Sequence, residues 1–190
     1  MRYPFPEIIN SSLIANFRSC GQKTLLADFQ SWKPRTPSVH LIAGAAFARG
    51  LEVTRRAYYE DGDDPETAVA MGFKALIEAY GDFECPPESG KSCERMAGAL
   101  EYYFDRYPLG DDPAEIIKVA DKYAIEFNFS EPLEINHPET GQPLIYTGRF
   151  DAMVKYSGLT LGCDEKTTSQ LGASWPRQWD LRSQFTAYTW

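Results

Sequence analysis

The 190-residue chain reads as an α/β protein with a helical first part and a sheet-forming second part. Three observations predict this. Apolar residues recur at helical spacing through much of positions 1–120. Strand-like alternation takes over at Lys122–Glu131, where Tyr123, Ile125, Phe127 and Phe129 share one face. Two further β-rich runs, Leu144–Tyr156 and Leu159–Cys163, flank Ser157-Gly158, which has the composition of a two-residue hairpin turn. The length suits one domain, 1–190, with a mainly helical part over 1–120 and a sheet core plus one more helix over 121–190.

The elements follow in order. Asn10-Ser11-Ser12 caps a first helix carrying Leu13, Ile14, Phe17 and Cys20. Gly21 interrupts it, and Leu25, Leu26, Phe29 and Trp32 continue the pattern up to the break at Lys33–Pro37. A helix over about 38–60 starts near His40. Its run of small residues, Gly44 to Gly50, suits close packing against a sheet. Asp64-Pro65-Glu66 starts the next helix, with Val69, Phe73, Leu76, Ile77 and Tyr80 as its core face and Gly81 as its end. After a loop at Cys85–Gly90, a helix over about 92–107 presents Met96, Leu100, Tyr103 and Tyr107. Pro132–Gly141 reads as a connection containing His137.

Composition bounds the function. A hydrophobic content of 43% supports a packed core. No run of 18 apolar residues occurs, and Met1–Pro6 lacks the apolar stretch of a secretory signal, so the expectation is a cytoplasmic chain without membrane spans. The four cysteines, at 20, 85, 93 and 163, form no Cys-x-x-Cys pair and read as reduced thiols; Cys85 and Cys93 lack further zinc ligands. The net charge of −8 runs against nucleic-acid binding, but Pro143–Trp190 holds five basic residues against four acids.

The chemistry concentrates in the hairpin. If Tyr156 pairs with Leu159, the register brings Asp151 opposite Asp164. Directly opposed residues have Cβ atoms about 5 Å apart, and like charges there destabilise a sheet. A divalent cation removes that repulsion, since Mg²⁺ is held through one or two carboxylates with waters and phosphate. Lys166, two residues past Asp164, falls on the same face and adds an ammonium beside the acids. The alternative is a surface hairpin of solvated ion pairs, which are worth little.

Asp151, the Asp164-Glu165-Lys166-Thr167 run, Gly148 before the first acid, and Gln184 with Tyr188 in a Gln-x-x-x-Tyr pattern together resemble the PD-(D/E)xK nuclease superfamily, in its RecB-like and Cas4-like exonuclease branch. The resemblance is firm over about 126–188. It implies a restriction-endonuclease-like core, a central mixed β-sheet flanked by helices behind a helical N-terminal region. It also implies a metal-dependent DNA nuclease, such as serve phage recombination or DNA repair, with DNA ends or single strands as partner and a further protein in the complex. By that resemblance Asp151 and Asp164, with the main-chain carbonyl of Glu165, hold Mg²⁺ or Mn²⁺, and Lys166 stabilises charge on the phosphoryl group. Gln184 and Tyr188 guide the strand, Trp175 offers a stacking surface, and Arg177 and Arg182 are phosphate contacts or solvated surface residues.

The chain also departs from the family. The first core helix of the family often reads Gly-x-x-x-His-x-x-x-Glu; Gly44 and Glu52 match it, but Ala48 stands at the His position. Glu52 then either lines the site or pairs with the nearby Arg55 and Arg56. Glu126 is similar to an acid found on the family's first strand. Cys20 matches the first ligand of an iron–sulfur cluster in some members, but no three cysteines follow Tyr188. A cluster is unsupported, and Cys20 reads as a small buried hydrophobe. The last helix has no cap or stop signal at Trp190, and the resemblance, in which such folds usually continue with another strand, leaves room for a further C-terminal region. Tyr188 could instead pack in the core with Leu181 and Phe185. A reading from another class is a non-catalytic nucleic-acid-binding or assembly module that keeps the fold.

Overall fold

The computed structural model describes residues 4–168 and Gly172. They are mixed α/β: helices α1 (Ser11–Ser19), α2 (Gly21–Thr24), α3 (Val39–Arg56), α4 (Pro65–Tyr80) and α5 (Cys93–Arg106), and strands β1 (Ile8–Asn10), β2 (Glu115–Ile116), β3 (Lys118–Val119), β4 (Lys122–Tyr123), β5 (Ile125–Asn136), β6 (Pro143–Tyr156) and β7 (Leu159–Cys163). They form two compact units, one from residues 4–35 and 128–149 with Gly172, the other from 36–127 and 150–168. The segment carrying Trp175, Arg177, Arg182, Gln184 and Tyr188 lies outside the described residues.

In the first unit, the Asn10 side chain caps α1 by accepting the Leu13 N–H at 2.9 Å. β1 pairs in parallel with the start of β6, Ile8 opposite Ile145. The connection expected over 132–141 is shorter than the sequence suggested, because β5 continues to Asn136. His137 then organises the turn. Its ring is buried; Nε2 donates to the Phe5 carbonyl at 2.9 Å, and Nδ1 accepts the Glu139 and Thr140 N–H groups at 3.1 Å. Cys20 is exposed, not the buried hydrophobe expected of it: it sits at the extended break between α1 and α2.

The second unit holds a three-helix core. Ala43, Ala46, Phe47 and Leu51 of α3 pack with Leu76 and Tyr80 of α4 and with Met96, Leu100 and Phe104 of α5. The small residues of α3 serve helix–helix contact, not the sheet contact expected of them. A Cβ on Gly50 would lie 2.9 Å from Leu100 Cδ2, and one on Gly72 would lie 1.9 Å from Thr54 Oγ1. The α4 face is shifted: Leu76 and Tyr80 are buried, but Ile77 is 54% exposed. On α5 the buried row is Met96, Leu100, Phe104, each four apart, while Tyr107 lies past the helix end and is exposed. Asp64 caps α4 by accepting the Thr67 N–H (3.0 Å) and hydroxyl (2.6 Å), and Gly81 ends it at φ +61.

The sheet of this unit is organised on the end of β6. β2 pairs antiparallel on one edge, Ile116 opposite Val154, and β7 on the other, Leu161 opposite Val154. The hairpin has the expected register, Tyr156 with Leu159 through Ala152 with Cys163. Ser157 and Gly158 have φ of 49° and 81°, as a type I′ turn requires. The strand expected to be continuous from Lys122 is broken: β4 forms a small hairpin with β3, and β5 starts at Ile125 with Glu126 at φ +50.

Candidate functional site

The site grows from the open end of the β6–β7 hairpin. Ala152 pairs with Cys163, so the next positions in register are Asp151 and Asp164. β7 ends at Cys163, and residues 164–168 continue without regular structure. This freedom lets Glu165 turn back: its N–H donates to Asp151 Oδ2 at 2.6 Å. The Lys166 ammonium pairs with Asp164 Oδ2, and the Asp164 side chain is only 5% exposed.

Two residues from the helices complete the group. Arg55, at the C-terminal end of α3, is buried; its Nη2 pairs with Glu165 Oε1 and donates to the Tyr103 hydroxyl at 2.9 Å. Tyr103 of α5 in turn donates to Glu165 Oε1 at 3.4 Å, and its ring lies 5.9 Å from the guanidinium carbon. Burial alone would lower the Arg55 pKa, but the Glu165 carboxylate outweighs it and raises it. Burial would raise the Glu165 pKa, but Arg55 outweighs it and holds the carboxyl below its ordinary value. The Tyr103 hydroxyl is pushed up to about 12, chiefly by burial.

Among the described residues no cation is paired with Asp151. Burial first, then the Glu165 charge and, more weakly, the Asp164 charge, raise its pKa from 3.8 to about 7. Three acids therefore crowd a space where the neighbouring cations, Arg55 and Lys166, are bound to Glu165 and Asp164.

Among the described residues no ready group of three His, Cys, Asp or Glu side chains forms. The buried Glu165 Oε2 has no hydrogen-bond partner among them. Asp151 and Asp164 add hard oxygen donors, the kind Mg²⁺ and Mn²⁺ take. An uncompensated acid beside an orphaned carboxylate oxygen fits a hard divalent cation.

Glu52 takes the ion-paired alternative. Its carboxylate binds Arg49 at 2.7 Å and Arg56 at 3.0 Å, and these cations outweigh burial to lower its pKa. The α3 residue that reaches the acids is Arg55. Arg56 also holds Glu60 and donates to the Ile125 carbonyl at 3.2 Å, beside Glu126. Sequence reasoning missed Arg55 and Tyr103. The signal for Arg55 was its place one turn after Glu52 on the same helix. A cavity of about 60 Å³ borders Arg55, Tyr103 and Glu165.

Comparison with protein-family models, curated proteins and solved structures found no match to this chain.

Proposed function

We propose that this protein is a metal-dependent DNA nuclease, an exonuclease with the PD-(D/E)xK arrangement on a restriction-endonuclease-like core. The observation that carries the reading is the hairpin register, which brings Asp151 level with Asp164 and leaves Lys166 against the second acid. The raised Asp151 pKa supports it, because an acid that crowded gains most from a cation. Asp151 and Asp164, with Glu165, would hold Mg²⁺ or Mn²⁺. When bound, such an ion lowers the pKa of its water and polarises a phosphoryl oxygen. Lys166 contributes a compact positive charge suited to a developing phosphorane. Arg55 and Tyr103 hold Glu165, and through its N–H the Asp151 carboxylate, in one orientation. Gln184, Tyr188, Arg177 and Arg182 are the proposed DNA contacts.

One observation favours a second reading, a non-catalytic nucleic-acid-binding module: Lys166 and Arg55 already neutralise Asp164 and Glu165 without a metal. The test is incubation of end-labelled single- and double-stranded DNA with the protein in Mg²⁺, Mn²⁺ or EDTA, products being resolved by length. The nuclease reading expects metal-dependent release of nucleotides from an end. Intact DNA in all three conditions, together with a measurable DNA affinity, would establish the binding module.

A further inference from the structure

Lys91 lies in the loop between α4 and α5, two residues before α5 begins. It is only 5% exposed. Among the described residues no carboxylate pairs with it. Its Nζ donates to the carbonyl oxygen of Thr167 at 3.2 Å and to Thr167 Oγ1 at 3.0 Å. The loop that delivers it is anchored, since the Tyr80 hydroxyl donates to the Lys91 carbonyl at 2.8 Å. Thr167 also faces α3 at Gly44, which carries no side chain: a Cβ there would lie 4.0 Å from Thr167 Oγ1.

A buried ammonium without a counter-charge is costly unless its donors are satisfied, and burial lowers the Lys91 pKa accordingly. Both of its assigned acceptors belong to one residue, the one that follows Lys166. Residues 164–168 have no strand or helix ladder to hold them. A main-chain carbonyl and the side-chain hydroxyl of the same residue, gripped by one cation, fix both the path of the chain and its rotation at Thr167. This sets where Lys166 leaves the backbone.

We infer that Lys91 is the positioning residue of the Asp164–Thr167 segment, holding Lys166 in its working orientation by clamping Thr167 against α3. This rests on the nuclease reading for its catalytic consequence, but not for the clamp itself. The Lys91 ammonium is bound to Thr167 and pairs with none of Asp151, Asp164 and Glu165, so it acts through Thr167.

The experiment combines steady-state cleavage kinetics with amide hydrogen exchange of the metal-free protein, on wild type, Lys91→Met, Lys91→Arg and Thr167→Ala. Lys91→Met should lower kcat about 10- to 100-fold, the scale of a small misplacement at a reacting centre, with KM little changed. Its exchange should rise in 164–168 and not in α3 or α4. Lys91→Arg, which keeps charge and donors, should recover most of both. Thr167→Ala, which removes one of the two acceptors, should fall between and be the decisive variant if Lys91→Met does not fold. Wild-type kcat in Lys91→Met or Thr167→Ala, or unchanged exchange in 164–168, would overturn the inference. A wild-type protein without nuclease activity would sink the nuclease reading alone. The exchange pattern would then decide the clamp: a local rise upholds it and no rise refutes it.

Discussion

Replacing Asp151 by Asn should stabilise the metal-free protein at neutral and alkaline pH. Raising a carboxyl pKa from 3.8 to about 7 corresponds to about 4 kcal/mol at 1.36 kcal/mol per pH unit, and the partial solvent contact of the side chain reduces this to about 2 kcal/mol. The sign follows from proton binding. The folded protein keeps a proton on Asp151 that the unfolded chain releases near 3.8. Wild-type stability from this group is therefore complete below about 3.8 and is lost as the pH rises through about 7. Asn does not titrate. Its carbonyl can still accept the Glu165 N–H. The variant's advantage should be near zero at pH 4 and full above pH 7, where about 2 kcal/mol raises the melting temperature by about 4–8 °C. Thermal denaturation in EDTA across this range measures it. A variant less stable than wild type at pH 8, or an offset of equal size at pH 4 and pH 8, would show that the Asp151 carboxyl is not raised by its burial and its acidic neighbours in the folded protein.

Arg55→Met should destabilise the protein by about 3–5 kcal/mol, because it leaves the buried Glu165 carboxylate without its cation. Glu165→Gln in the same background should recover much of that loss, and additive single effects in a double-mutant cycle of denaturant melts would count against the pairing. Gly72→Ala should lower stability by about 1–3 kcal/mol through overpacking, despite a helix-propensity gain of up to about 1 kcal/mol, since its Cβ would land 1.9 Å from Thr54 Oγ1 and 2.8 Å from the Gly50 carbonyl. A calorimetric melt unchanged by that substitution would mean that α3 and α4 do not approach as described.

The readable parts of this fold are those written locally. Ser157-Gly158 takes two positive φ angles in a two-residue turn, which sets the register of β6 and β7 and hence the level of Asp151 with Asp164. Asp64-Pro65 and Gly81 punctuate α4 with residues whose caps are short-range. The unreadable parts are non-local. Arg55 meets Glu165 across 110 positions and Lys91 meets Thr167 across 76, and no spacing rule spans such gaps. β1 joins β6 from the far end of the chain. The alternating run is interrupted at Ala124, between β4 and β5, and Glu126 just inside β5 takes φ +50, a conformation that a glutamate side chain does not announce. Periodicity also could not tell which of two adjacent aromatic residues on α5 turns inward. Phe104 is buried; Tyr103 keeps its hydroxyl on Arg55 and Glu165.

The most direct test of the central claim is the rate of metal-dependent DNA hydrolysis by wild type, Asp164→Asn and Lys166→Ala, each first checked for a folded melting transition. Wild type should hydrolyse DNA in Mg²⁺ or Mn²⁺ and not in EDTA. Each variant should lose about 100-fold or more, the scale of removing one group that stabilises transition-state charge. A folded wild type that leaves DNA intact with both ions, or variants that cut as fast as it does, would contradict the account.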